Sequence, residues 1–229
     1  VGTEIGPEDC GFKGVHHEGY GYPASENWMH WHYKKYLRDN NLGDFTLKND
    51  FDGRLACQDQ PVEASIPYYL AENTIQEIKD SVENGNSFFT RIDFWGPHSP
   101  YNIPEPYFSM YEDLNISPWD NYDDSLDDKP QVQADYRTYF GIEDYRWPEW
   151  EKIVKACYGY TTLIDDQIGR IIQVLKDLGI YEETAVFFVS DHGGMVGAHG
   201  LHDKGPYLYD EILRVPLIAK IPGVTDEKA

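Results

Sequence analysis

Residues 184–205 read T-A-V-F-F-V-S-D-H-G-G-M-V-G-A-H-G-L-H-D-K-G, and this stretch decides the fold class. Its first seven residues, from Thr184 to Ser190, are almost continuously apolar, which predicts a β-strand buried on both faces. Strands of that kind occur where helices cover both sides of a sheet. The polar residues that follow are therefore expected just beyond the carboxyl end of the strand.

The segments on either side of this strand alternate between helical and extended patterns. Upstream, a long helix is predicted from Pro148 to Leu178, because isoleucines and leucines recur there every three or four residues. Gly179 is placed to end it. Downstream, the pattern predicts a short helix from Pro206 to Leu213 and a strand from Val215 to Ile221.

The first half of the chain continues the alternation. A helix is predicted from Pro67 to Gly85, where apolar residues are spaced by three and four, and a buried strand is predicted from Ser87 to Phe94. We expect the three predicted strands to form one mostly parallel sheet flanked by helices, which is the α/β class.

Three segments without periodicity are predicted to be loops: residues 1–22, 40–67 and 114–129. A helix from Ser25 to Leu37 separates the first two. The last segment is rich in aspartate, but it lacks the alternating acids and the final glutamate of an EF-hand. We interpret it as an acidic, solvated loop rather than a calcium site.

The composition favours one globular domain and excludes two kinds of partner. A chain of 229 residues with 41% hydrophobic residues can bury a sizeable core. Its 19 Lys and Arg against 40 Asp and Glu give a net charge of −21, so a nucleic acid would be repelled. No apolar run approaches the ~20 residues of a membrane-spanning helix, so no membrane partner is expected. Cys10, Cys57 and Cys157 show no C-x-x-C spacing and are interpreted as unpaired thiols.

Two of the predicted strands end in polar runs, at positions where α/β sheets bind their ligands. The first is F-W-G-P-H-S-P at residues 94–100, which holds His98 between two prolines. The second begins with Asp191 and His192, whose carboxylate and imidazole are complementary ligands for a divalent cation. The residues alone leave a second interpretation open, in which Asp191 caps a turn and His192 lies at the surface. The same run contains two more histidines and a lysine, to which the local pattern gives no role: His199, His202 and Lys204.

Three ordered segments carry a resemblance that goes further than these patterns. Residues 190–211, S-D-H-G-G-M-V-G-A-H-G-L-H-D-K-G-P-Y-L-Y-D-E, are followed closely by R-V-P-L-I. Residues 93–107 read D-F-W-G-P-H-S-P-Y-N-I-P-E-P-Y, and residues 158–176 read Y-G-Y-T-T-L-I-D-D-Q-I-G-R-I-I-Q-V-L-K. Together they resemble, in order, the metal-binding and lysine-containing segment, the substrate-histidine segment and the preceding helix of the type I sulfatase family, in the alkaline phosphatase superfamily. The resemblance covers residues from Ser87 to Gly223.

The resemblance implies an alkaline-phosphatase-like α/β domain and a sulfuric ester hydrolase. It implies that Asp191 and His192 bind a metal, and that His98 and Lys204 bind the sulfate group and the bridging oxygen of the ester. Calcium is the expected metal; manganese and zinc are alternatives because one ligand is an imidazole, and magnesium is a further alternative. The implied substrate is a small-molecule or glycan sulfate ester.

The chain also departs from the family pattern. In the family the nucleophile is a Cys or Ser in a C/S-x-P-x-R motif that is converted to formylglycine, whereas the cysteines here lie in C-G-F-K-G, C-Q-D-Q-P and C-Y-G-Y-T. The family's early paired Asp ligands and its Gly-Lys-Trp-His segment are absent as well. We therefore expect residues 1–229 to be the middle portion of a sulfatase catalytic domain, without the nucleophile segment and the smaller C-terminal subdomain. Such a portion would depend on the remainder of its own polypeptide.

Two other functions stay open at the level of the sequence. An Asp-His pair with a downstream Lys also resembles phosphonate monoester and phosphodiester hydrolases of the same superfamily. The missing nucleophile motif would also fit a catalytically silent domain that binds anions.

The sulfatase resemblance makes one geometric prediction. His98 and Lys204 are 106 residues apart, and they should meet in one cleft with Asp191 and His192 at the carboxyl edge of the sheet. The opposing expectation is that His98 is a turn residue held by its flanking prolines and that Lys204 is a solvated loop charge.

Overall fold

The structure, a computed structural model, describes residues 31–43 and 46–224, which contain both helices and strands. The helices are α1 (Trp31–Asp39), α2 (Ile66–Glu83), α3 (Gln131–Phe140), α4 (Trp147–Asp177) and α5 (Asp210–Leu213). The strands are β1 (Leu47–Phe51), β2 (Leu55–Gln58), β3 (Tyr101–Pro104), β4 (Val186–Val189) and β5 (Leu217–Lys220). This content confirms the α/β class. Within these two ranges, no helix combines the length and the apolar character needed to cross a membrane.

The sequence signals for α2 and α4 act as predicted. α2 begins after Ser65, whose hydroxyl accepts a hydrogen bond from the Tyr68 N–H at 3.3 Å, and Pro67 lies in its first turn. α4 ends just before Gly179, whose φ of 71° is left-handed. Capping residues therefore set the ends of both helices to within a residue or two of the prediction.

The main hydrophobic core lies around α4, which packs against α2 and β3. Its largest fully buried side chains include those of Trp150, Ile153 and Leu163. Ile164 and Leu175, two residues of the predicted apolar face, are buried as well. The long helix thus supplies the core against which the other elements are placed.

The described strands form two sheets, so the prediction of a single, mostly parallel sheet is wrong. β1 pairs with β2 in antiparallel fashion and β2 pairs with β3 in parallel fashion, whereas β4 and β5 form a separate antiparallel ribbon. Parallel neighbours require a crossover connection, usually a helix. The segment between β4 and β5 contains one four-residue helix, α5, and brings the chain back antiparallel to β4.

The segment from Ser87 to Phe94 forms no strand, and that prediction is also wrong. Its side chains alternate between exposed and half-buried, with Phe89 77% exposed. Aromatic and β-branched residues favour an extended backbone, but a strand also requires a neighbour that pairs with its amide and carbonyl groups. The composition of this segment favours an extended backbone, but it does not determine whether another strand pairs with it.

Other elements were not visible in the pattern. β1 and β2 lie within residues 40–67, which the sequence predicts as loop. The pattern does not reveal β1 because this strand reads L-K-N-D-F and is mostly exposed. β3 and α3 are likewise absent from the predicted elements. α1 agrees with the described part of the predicted helix from Ser25 to Leu37, whereas the predicted loop at 1–22 and the thiol of Cys10 lie outside the described residues.

Candidate functional site

His98 and Lys204 are in direct contact, although 106 residues separate them along the chain. Lys204 Nζ lies 2.9 Å from His98 Nε2, at hydrogen-bond distance. The ammonium group also lies 3.8 Å from the Asp203 carboxylate, and the lysine side chain is 39% exposed. The predicted convergence of these two residues is confirmed, and the interpretation of Lys204 as an isolated solvated charge is wrong.

The two partners of His98 hold its ring in one tautomer. Nδ1 contacts the carbonyl oxygen of Ser99, which can only accept, so Nδ1 carries the hydrogen. Nε2 then offers its lone pair to the Lys204 ammonium group. The Trp95 ring lies against the imidazole with 4.4 Å between ring centroids, which restricts rotation of the histidine.

The turn that carries His98 is packed tightly against α4. A Cβ at Gly96 would lie 2.5 Å from the ring of Tyr160, so only glycine fits at that position. Tyr160 is itself buried in the main core. The backbone on the N-terminal side of His98 is therefore anchored to the longest helix.

Asp191 and His192 follow β4, beyond its carboxyl end, as predicted. His192 Nε2 lies 3.6 Å from Asp191 Oδ2, and the Asp191 carboxylate is 85% exposed. His192 Nδ1 donates to the Gly193 carbonyl oxygen at 2.7 Å, which leaves the Nε2 lone pair available to a cation. Asp191 Oδ1 also accepts a hydrogen bond from the His192 N–H at 3.0 Å. One carboxylate oxygen therefore bonds to the local backbone, as expected if Asp191 caps a turn, and this leaves Oδ2 for a cation.

This pair has the donor chemistry of part of a metal site. A carboxylate oxygen and an imidazole nitrogen both bind divalent cations such as manganese and zinc. Such ions require about four to seven ligands. In residues 31–43 and 46–224, however, no group of three His, Cys, Asp or Glu could hold a metal ion. Metal binding by Asp191 and His192 therefore stays a prediction, and it requires further ligands.

The backbone connects the segment after Asp191 to the segment before Lys204. Met195 N–H donates to the Asp203 carbonyl oxygen at 2.9 Å. A Cβ at Gly193 would lie 2.0 Å from the carbonyl oxygen of Glu211, so this glycine is required for a close approach rather than for a sharp bend. Because no hydrogen bond or ion pair joins the two polar pairs in the described residues, a cleft shared by all four side chains stays a prediction.

The acidic loop holds His199. The histidine Nδ1 donates to Asp124 Oδ2 at 2.7 Å, and its Nε2 accepts from the Asn121 amide at 3.0 Å. Its ring stacks on Tyr209 with 4.1 Å between centroids. Hydrogen bonds from the Leu126 N–H and from His199 hold the pKa of the Asp124 carboxyl below its usual value. The predicted loop is present, and one of its carboxylates is engaged with the loop that leads to the candidate site.

His202 lies in the protein interior, with only 2% of its surface exposed. Its Nε2 is 3.2 Å from Ser99 Oγ, and its Nδ1 has no hydrogen-bond partner in the described part of the chain. Burial lowers the pKa of His202 to about 4, so the imidazole is neutral at pH 7. Ser99 therefore contacts two histidines, His98 through its carbonyl group and His202 through its hydroxyl group.

The cysteines that the structure describes are poor nucleophiles. Cys57 and Cys157 are free thiols, in agreement with the sequence. Burial raises the pKa of the Cys57 thiol and raises that of Cys157 to about 11. Because the thiolate is the attacking form, neither residue is suited to attack an ester at neutral pH.

Sequence reasoning missed Ser99 and His202. Ser99 could have been found, because it lies beside His98 in a turn fixed by prolines. His202 lies among polar and charged residues in L-H-D-K-G, and its burial arises from tertiary packing that this pattern does not predict.

Comparison with known proteins places the chain among relatives. The family model described as Sulfatase matches residues 13–229. The chain is 35% identical over 141 residues to an arylsulfatase of Clostridium perfringens, which covers 59% of this chain and 28% of that protein. It is 27% identical over 170 residues to iduronate 2-sulfatase of Mus musculus, which covers 67% of this chain and 30% of that protein.

Solved structures agree on the fold. A phosphonate monoester hydrolase from Silicibacter pomeroyi superposes with a TM-score of 0.70 at 24% identity, over 85% of this chain and 42% of that one. At that identity the likeness supports the alkaline-phosphatase-like fold alone. The chain spans less than a third of the length of the two curated relatives above. Because the family model matches nearly the whole chain, this protein belongs to the sulfatase family.

Proposed function

We propose that this chain forms part of the catalytic domain of an enzyme that hydrolyses sulfate esters. The observation that carries the proposal is the contact between Lys204 and His98 at 2.9 Å, because it fixes an anion-binding ammonium group at one point of a chain with net charge −21. Membership of the sulfatase family supports the class of reaction.

Lys204 would bind the anion and stabilise the charge that develops on it. An ammonium group has three donor hydrogens, and one of them faces His98 Nε2. The other two are available to the sulfuryl and bridging oxygens of an ester. Negative charge grows on the bridging oxygen as the S–O bond breaks, so these donors stabilise the transition state more than the ground state.

The same pair can supply the proton that the leaving group requires. The hydrogen bond between Lys204 Nζ and His98 Nε2 holds one proton between two bases. When the S–O bond breaks, a proton passes from the pair to the bridging oxygen, which leaves as an alcohol, and water later restores the proton. The hydrogen bond from His98 Nδ1 to Ser99 keeps Nε2 facing the lysine during this transfer.

The remaining groups of the site would be held or supplied as the family resemblance implies. Asp191 and His192 would hold a divalent metal, with calcium the first expectation, which polarises the sulfuryl oxygens and orients the nucleophile when it is bound. The proposed nucleophile is a formylglycine outside residues 1–229, on the remainder of the same polypeptide. The proposed substrate is a small-molecule or glycan sulfate ester, without nucleic-acid or membrane partners.

Steady-state hydrolysis of p-nitrophenyl sulfate tests the proposal. The 229-residue chain alone should not turn the substrate over, whereas a longer product of the same coding sequence that includes a C/S-x-P-x-R segment should. In that longer protein, Lys204→Ala should lower kcat/KM by about 10²- to 10⁴-fold, since it removes the groups that stabilise and protonate the leaving oxygen. Lys48→Ala is the matched control, because it removes only an exposed ion pair with Asp59.

The same assay separates the alternatives. A phosphonate monoester with the same leaving group should be the poorer substrate, and a higher kcat/KM on it would replace the proposal with a phosphonate hydrolase. Sulfate binding that depends on Lys204, without turnover of either ester by the longer protein, would indicate a silent anion-binding domain. Wild-type kcat/KM in Lys204→Ala would remove the lysine from the site.

A further inference from the structure

His202 is a buried polar residue at a position where an apolar side chain would pack without a penalty. The ring of Phe140 meets the imidazole edge-on with 5.2 Å between centroids, and the ring of Trp150 lies at 6.3 Å. Leu201, the preceding residue, is fully buried. The unpartnered Nδ1 carries a desolvation penalty that a phenylalanine at this position would not have. A buried polar group of this kind therefore calls for an explanation.

The one hydrogen bond of His202 leads to the turn that carries His98. His202 Nε2 contacts Ser99 Oγ at 3.2 Å, and the carbonyl oxygen of Ser99 accepts from His98 Nδ1. His98 Nε2 then faces Lys204, which lies two residues after His202. These four residues close a ring, which joins the turn that carries the histidine to the loop that carries the lysine.

Packing fixes one side of this ring. Phe140 is the last residue of α3, and Trp150 lies in the first turn of α4, where it is almost fully buried. The imidazole of His202 cannot shift without displacing residues on these two helices. His202 is thus an anchored contact for Ser99, whereas His98 and Lys204 at the other side of the ring are more exposed.

We propose that His202 is a positioning residue, which holds Ser99 and through it the ring orientation and tautomer of His98. Its effect on catalysis rests on the function proposed above, whereas its effect on His98 does not. If the contact between His202 and Ser99 is lost, the Ser99 carbonyl group no longer fixes the hydrogen on His98 Nδ1. The tautomer with the hydrogen on Nε2 then becomes populated, and in that tautomer two donors, Nε2–H and the Lys204 ammonium group, face each other.

Two substitutions remove the same contact from opposite sides. His202→Phe keeps a planar ring in the pocket, and Ser99→Ala removes only the hydroxyl group. Ser99→Thr keeps the hydroxyl group and is the matched control. Long-range ¹H–¹⁵N correlation spectra of the 229-residue chain report the tautomer of His98. We expect the Nδ1–H pattern in the wild type and in Ser99→Thr, and a shift of both ring nitrogens toward averaged values in the other two variants.

Kinetics of the longer, nucleophile-containing protein give the second readout. Each single variant should lower kcat by about 10- to 100-fold with a smaller change in KM, because a misplaced His98 still leaves Lys204 to bind the anion. The double variant should be no slower than the slower single variant, because both changes remove one contact. His202→Phe should keep or raise the melting temperature while it lowers kcat. If His202 acted only in packing, a variant that keeps the melting temperature would keep kcat as well.

The outcomes distinguish this inference from the proposed function. Wild-type nitrogen shifts of His98 in both His202→Phe and Ser99→Ala would overturn the positioning role, and so would losses in kcat that add in the double variant. If the wild-type longer protein hydrolyses no sulfate ester, the proposed function fails, and the tautomer of His98 still decides the role of His202.

Discussion

Strands are usually more buried than loops. In this protein the ribbon of β4 and β5 is more exposed than the loop that joins its two strands. The strands read V-F-F-V and L-I-A-K, yet most of their side chains are exposed, with Leu217 at 69%. Loops normally run over the surface, but this loop and the adjoining acidic loop form a core of their own. Its buried members are Leu126, Met195, Ala198, Leu201, Tyr207 and Ile212.

This difference explains where the candidate site obtains its rigidity. The ribbon is apolar on both faces, with Phe187 and Leu217 on one face and Phe188 and Ile218 on the other. Strands of that pattern are typical of sheets covered on both sides, and the described residues leave both faces largely exposed. The loop that carries Lys204 is instead packed by its own residues and by the acidic loop. Local packing therefore positions the lysine independently of any cover on the ribbon.

The largest expected effect is the contrast between two leucines in these regions. Leu201→Ala in the buried loop should lower the free energy of unfolding by about 2–5 kcal/mol, since it removes a fully buried side chain and leaves a cavity. Leu217→Ala in the ribbon should cost less than about 1 kcal/mol, because most of that side chain is already in water. Urea unfolding of the two variants measures both values. Equal losses would mean that the ribbon is covered in solution, and sedimentation velocity would then show self-association.

Local signals predicted the two longest helices of this fold, but pairing between strands is not local. Apolar periodicity and capping residues set α2 and α4 correctly. The segment from Ser87 to Phe94 has the composition of a strand, but whether it pairs depends on a neighbour that its own residues do not specify. β1 pairs although its sequence is polar, because β2 beside it supplies the buried face.

The candidate site likewise contains residues that the sequence identifies and residues that only the fold reveals. The family resemblance identified His98 and Lys204 as a pair, and the structure places them in contact. Their supporting residues, Ser99 and His202, act through burial and through one side-chain contact across 103 residues. Neither property is encoded in the spacing of nearby residues, so only the folded chain reveals them.

The second expected effect is a pH dependence of stability that originates in the loop. Burial lowers the pKa of His202 to about 4, whereas an unfolded histidine titrates near 6.5. Between these values the unfolded chain binds a proton that the folded chain does not, so stability falls as the pH decreases from about 6.5 to 4. This single residue should contribute about 3 kcal/mol to that fall.

Comparison with His202→Phe isolates this contribution, because all other titrating groups are shared by the two proteins. Urea unfolding at pH 7 and at pH 4.5 should show a smaller loss for the variant than for the wild type. Parallel pH profiles of the two proteins would contradict the burial of a neutral imidazole at this position.

A third comparison uses two adjacent glycines at the junction between ribbon and loop. Gly193→Ala should lower stability by about 1–3 kcal/mol, because the new Cβ would overlap the carbonyl oxygen of Glu211. Gly194→Ala should change it by less than about 0.5 kcal/mol, since its nearest contact, on Val196, would lie at an ordinary 3.7 Å. Thermal melts of the two variants provide the measurement. Similar melting temperatures would show that the loop shifts away from α5 at little cost.

The smallest expected effect concerns the attachment of the acidic loop to the buried loop. Hydrogen bonds from the Leu126 N–H and from His199 lower the pKa of Asp124, so its stabilising contribution is complete above the unfolded value near 3.9 and is lost as the pH falls through the folded value. Asp124→Asn keeps one oxygen that can accept from His199, but it removes the charge and puts an amide NH2 group where the other oxygen accepts from the Leu126 N–H. It should cost about 1 kcal/mol at pH 7 and progressively less below pH 4.

The exposed neighbour Asp123 provides the matched control, and Asp123→Asn should show no such pH-dependent difference from the wild type. Differences in unfolding free energy at pH 7 and pH 2.5 distinguish two ways in which the acidic loop can be attached. A loss for Asp124→Asn that persists unchanged at pH 2.5 would mean that the shape of the contact, rather than the carboxylate charge, holds His199. A loss that disappears in acid would mean that the charge of Asp124 strengthens the packing around the loop that carries Lys204, so that stability of this loop depends on the ionisation of a residue 80 positions away.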